Sequence, residues 1–152
     1  MKMTPRAVVF GSLLILGAIV FMVVYVPYIH NDETPSDIYR DRSDMEAAGR
    51  EVYIANGCVY CHSQSIRTID WGLGAERIAH SGDYVTDHPI LLGSQRTGPD
   101  LSQAGGEHPD DWDLAHFTNP RYTRPLSIMP AFAGVGEENL AGLLRYVRGL
   151  GV

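Results

Sequence analysis

GREVYIANGCVYCHSQSIR, residues 49–67, decides how the rest of the chain is read. At its centre, Cys58-Val59-Tyr60-Cys61-His62 sets two thiols three positions apart, with an imidazole directly after the second. No other cysteine occurs in the 152 residues. A disulfide between such near neighbours closes a strained, very small loop. The pair therefore reads as a redox CxxC, half a zinc site or a haem attachment site. Zinc needs four ligands, and no second CxxC supplies them. For haem the spacing has a physical reason. On one turn at a helix end both thiols reach the vinyl groups along one porphyrin edge, which brings the adjacent imidazole over the ring. The expected cofactor is one haem c, covalently held by Cys58 and Cys61, with His62 as proximal iron ligand.

Outward from the motif, Ser43-Asp44-Met45-Glu46 fits a capping box. It predicts a helix of about three turns with Ala47, Ala48, Val52 and Ile54 available for burial, stopped by Gly57. Near the other end, Glu137 and Glu138 suit a helix N-terminus and Arg145 and Arg148 a C-terminus. Leu140, Leu143, Leu144 and Val147 recur between them at helical spacing, and Gly149 and Gly151 end the run. The middle, 63–135, is rich in Gly, Pro and Asp and reads as loops with short helices wrapped around a non-protein core. The fold class is all-α, with no repeats.

The second face of the iron needs its own ligand. Met129, in Ser127-Ile128-Met129-Pro130, is the only methionine downstream of the motif. A thioether there raises the reduction potential, whereas a second imidazole lowers it. His80, His88, His108 and His116 are the rivals. Iron-bound histidines usually donate their other ring nitrogen to a fixed acceptor, and a carbonyl near Gly98-Pro99 is the expected one. Haem propionates need cationic or donor partners, because an unpaired buried charge is costly. Arg67 and Arg96, near the motif and that loop, are the expected partners. Trp71 and Trp112 read as haem-wall packing.

Ala7 to Ile29 is a run of 23 uncharged residues, where about 20 suffice to span a bilayer core. It is too long for a signal-peptide apolar region, and Val26-Pro27-Tyr28 offers no small pair for cleavage. A retained transmembrane anchor over 1–30, a linker over 31–42 and a cytochrome domain over 43–152 follow. Lys2 and Arg6 before the span, against Asp32 and Glu33 after it, place the N-terminus in the cytoplasm by the positive-inside rule. The domain then lies in the periplasm of a bacterial inner membrane. All 18 acids lie from Asp32 onward with ten of the 12 basic residues, a net charge of −8 there. That sign argues against nucleic acid and suits a basic partner.

The run at 49–67, DHP at 87–89, GSQRTGPDL at 93–101, Trp112, His116, NPR at 119–121 and SIMP at 127–130 together resemble the membrane-anchored monohaem subunit of C-family (cbb-type) haem–copper oxidases. The resemblance implies a class I cytochrome c domain with His62 and Met129 on the iron. It implies a catalytic subunit holding haem b and a haem–copper centre as partner, usually a dihaem subunit, and a cytochrome c donor. It also implies that the 93–101 loop faces the catalytic subunit, with a structural cation, calcium, at Gly93 and Ser94. The small subunit of a nitric oxide reductase shares the anchor-plus-monohaem layout, and a freestanding anchored shuttle is a third reading. In each, the chain has no nucleophile or acid–base pair of its own, and its chemistry is outer-sphere electron transfer. The stretch 68–83 carries no reading.

Overall fold

A computed structural model describes residues 4–30, 34–73, 77–93 and 95–152. The chain divides into two compact units, Met1–Thr34 and Pro35–Val152.

The first unit is one apolar helix, α1, Pro5–His30. Thr4 caps it, its hydroxyl accepting the Ala7 N–H, and Pro5 occupies the first helical position, where a missing N–H costs nothing. Its 26 residues rise about 39 Å, long enough to cross a hydrocarbon core of about 30 Å. The helix widens into a π-turn over Phe21–Tyr25, where the Val26 N–H reaches back to the Phe21 carbonyl. Pro27 lies just beyond, and a proline removes one donor from the regular ladder.

The second unit is all-helical among the described residues. Helix α2, Asp44–Ala55, opens on the expected capping box: Ser43 Oγ receives the Glu46 N–H, and the Glu46 carboxylate receives the Ser43 N–H at 2.8 Å. Gly57, at φ +71, ends it in a conformation glycine adopts without strain. Helix α3 spans Asp110–Thr118 and helix α4 Glu137–Arg148, with 3₁₀ turns between. Helices α2 and α4 pack on each other, and Tyr53, Leu91, Phe117, Leu140, Leu143 and Tyr146 form the centre of the core.

The packed face of α2 differs from the expected one. Ala47 and Ala48 are exposed, and Gly49, Arg50 and Tyr53 are buried. The cause is the crossing itself. A Cβ on Gly49 would fall inside the Gly142 carbonyl group, and one on Gly142 would sit 3.4 Å from Gly49 Cα. The two backbones meet there, and one turn further on Tyr53 and Tyr146 pack edge to face, centroids 5.4 Å apart. Arg50 is buried because Asp87 and the carbonyls of His88 and Pro89 receive its guanidinium.

Part of the segment read as a linker also belongs to the domain. The Ser36 N–H donates to the Gly82 carbonyl. Arg40 reaches the carbonyls of Gly149 and Val152 as well as Glu46, and Arg42 pairs with Asp87.

Candidate metal centre

After Gly57 the chain makes a 3₁₀ turn, Cys58–Tyr60, in which the N–H groups of Cys61 and His62 both donate to the Cys58 carbonyl. That turn faces a cavity of about 830 Å³, near the upper end of the roughly 300–1,000 Å³ usual for ligand sites. Both cysteines are free thiols on its wall. Burial pushes the Cys58 pKa up to about 11. Reactive redox thiols are activated by the opposite shift.

His62 stands on the same wall. Its Nδ1 faces the Pro99 carbonyl at 2.9 Å, which leaves Nε2 as the nitrogen available to a metal. The loop carrying that carbonyl is bonded to the motif on both sides: the Gly98 N–H donates to the Cys61 carbonyl and the Leu101 N–H to the Ser63 carbonyl. Gly98 lies directly against the imidazole, where a Cβ would come within 2.8 Å of Nδ1 and 2.9 Å of Nε2. Asp100 ties the loop down. Its carboxylate accepts Ser63 Oγ, the Ser65 N–H, the Ser102 N–H and the Ser102 hydroxyl. Burial alone would raise its pKa, but the hydrogen bonds from Ser102 and Ser63 outweigh it and hold the group below the usual range.

Met129 also lines the cavity, in a backbone fixed from both ends. Its N–H donates to Ser127 Oγ at 3.2 Å, and its carbonyl accepts from Arg121 at 3.0 Å. The remaining wall is largely apolar, with Leu143, Val147, Phe117 and Phe132 among its residues. Of the rival histidines, His80 and His88 lie away from the cavity, while His108 and His116 line it. Those two flank Trp112, at centroid distances of 3.7 and 4.8 Å. His116 Nδ1 meets Thr123 Oγ1 at 2.6 Å, and burial, then the nearby His62 and Arg124, lower its pKa. Asp113 is buried there too, its Oδ2 without a hydrogen-bond partner among the described residues and its pKa raised by burial.

Arg67 and Arg96 do not line the cavity. Arg96 pairs with Asp70 at 2.7 Å and with Asp100 at 3.1 Å, and Arg67 pairs with Asp70 at 3.2 Å. The Arg67 guanidinium, then that of Arg96, holds the Asp70 carboxyl far below the ordinary carboxylate range. These arginines brace the loop behind His62, and the acids that claim them could not be paired with them from sequence alone. The arginine on the cavity wall is Arg124. Trp71 is exposed and also lies away from the cavity. Gly93 adopts φ +65 against Ser63; Ser94, the other residue of the expected cation site, lies outside the described residues.

The donor set fits a covalent haem. Two thiols, an imidazole oriented through its far nitrogen and a thioether border one cavity, and a glycine leaves room for the imidazole. Among the described residues no cluster of three His, Cys, Asp or Glu side chains could hold a separate metal ion. No curated protein matches the chain. The family model described as cytochrome c oxidase, mono-haem subunit/FixO matches residues 2–144, and the chain belongs to that family.

Proposed function

We propose that this chain relays single electrons from a cytochrome c donor to the catalytic subunit of a respiratory terminal oxidase, through one haem c thioether-linked at Cys58 and Cys61. The observation that carries the reading is the meeting, in one cavity, of the CxxCH turn, a His62 held through Nδ1 and the thioether of Met129. Bound haem supplies a one-electron iron couple. The protein's part is to hold it. His62 Nε2 and Met129 Sδ would hold the iron, Pro99 fixes the imidazole, and the apolar wall would limit water and so help keep the potential high. Helix α1 anchors the chain, with its N-terminus in the cytoplasm and the domain in the periplasm. Family membership supports the oxidase as partner over a nitric oxide reductase. The domain's hold on residues from Pro35 onward leaves a shorter tether than a roaming shuttle needs.

The purified full chain should retain haem-linked peroxidase activity on a denaturing gel, and replacing both cysteines by alanine should abolish it. Met129→Ala should keep the attached haem, erase the weak red absorption of a thioether–iron(III) bond and lower the potential. A wild type without that band, with an unchanged potential in Met129→Ala, would shift the ligand assignment to His116 or His108. Haem extractable from the wild type would overturn the reading.

A further inference from the structure

Arg124 is an unpaired arginine on the cavity wall. Its guanidinium makes neither an ion pair nor a hydrogen bond among the described residues, whereas Arg42, Arg67, Arg77, Arg96 and Arg148 each have a carboxylate partner. Its guanidinium carbon lies 5.9 Å from the centre of the Trp112 ring. That ring also packs against His108 and His116, and the arginine lies within cation–π reach of it. Its backbone is equally fixed. The Arg124 N–H donates to the Pro120 carbonyl at 2.8 Å, and its own carbonyl accepts from Ser127 at 2.9 Å. The turn that presents Arg124 is thus the one that leads into Met129.

We propose that Arg124 is the counter-charge of a haem propionate. This rests on the haem reading above. A propionate is an acceptor-only carboxylate, and leaving it unpaired in a largely apolar cavity is costly. A guanidinium is permanently charged and matches a carboxylate with two parallel N–H groups. The His116 imidazole fails as a donor on its tautomer. The Thr123 hydroxyl donates to the Pro120 carbonyl at 3.2 Å, so its oxygen must accept from His116 Nδ1. Neutral His116 then presents a bare Nε2, an acceptor, which repels a carboxylate. Asp113, buried on the same wall, has no proton donor to offer when ionised. Arg124 is the permanently charged donor of the lining.

The test is spectroelectrochemistry on the detergent-purified, haem-loaded full chain. Removing a positive charge beside a propionate favours the ferric state. Arg124→Gln should therefore shift the electron-transfer equilibrium about tenfold, which is about 59 mV lower for one electron. The red thioether band should persist, which separates loss of charge from loss of Met129. Arg124→Lys should restore most of the potential. Arg145→Gln removes the same charge from the exposed face of α4 and should leave the potential in place. If Arg124→Gln does not fold, Arg124→Met serves as the second charge-removing variant. A haem-loaded Arg124→Gln or Arg124→Met chain with the wild-type potential, or an equal shift in Arg145→Gln, would overturn this proposal alone. A wild-type chain without covalent haem would overturn the haem reading and this proposal with it.

Discussion

Gly98 and His62 touch edge to edge, and the contact leaves no room for a methyl group. Replacing Gly98 by alanine must move the imidazole or the loop, and either movement breaks the Nδ1 bond to Pro99. Gly98→Ala should keep its covalent haem but lose about 2 kcal/mol in denaturant unfolding, as overpacked sites do. The ferric electron paramagnetic resonance spectrum should change as the ring rotates, and an unchanged spectrum would show that the contact is slack. The places of His62, Met129 and the carbonyl near Pro99 at one cavity were legible in the sequence, because each lies in a short motif. Gly98 as a spacer was not. Its role depends on an approach between residues 36 positions apart, and a glycine in a Gly-Pro pair reads first as a turn.

At the scale of elements, α2 and α4 are held by their crossing at Gly49 and Gly142. Gly49→Ala places its Cβ against a carbonyl group that cannot retreat along the helix. A loss of about 3 kcal/mol is expected, read as a lower denaturant midpoint with an unchanged slope. The start of α2 carries a pH-dependent part of the stability. The Arg40 guanidinium, against desolvation, draws the Glu46 pKa from 4.5 down to about 2, with help from the Ser43 N–H. Glu46 is thus ionised in the folded state well below the pH at which it protonates in the unfolded chain. Its contribution is complete above about 4.5 and drains away as the pH falls toward 2. Glu46→Gln should cost about 1 kcal/mol at pH 7 and flatten the acid limb of stability over that window. Both helices were legible from caps and spacing, to within a residue. The packed face of α2 was not, because glycine and arginine score as poor core residues, and only the partner helix and Asp87 reveal why they are buried.

For the whole molecule, the anchor and the acidic domain were legible from hydropathy and charge alone, while the cavity was inferred only from the lack of regular structure at 63–135. The network of Asp70, Asp100 and Arg96 that supports it links residues that no local pattern connects. On the proposed orientation, protease added to intact spheroplasts should digest the domain and leave a fragment close to α1. Protection until lysis would reverse the orientation. One more consequence lies in α1. The π-turn at Phe21–Tyr25 inserts about one extra residue of rotation, roughly 100°. The stretches before and after it therefore share no common azimuth. A lipid-versus-protein accessibility scan along the anchor should show two helical waves of equal period, the second slipped in phase by one residue after Tyr25, so any neighbouring helix reads Gly11 to Val20 in one register and Val26 to His30 in another.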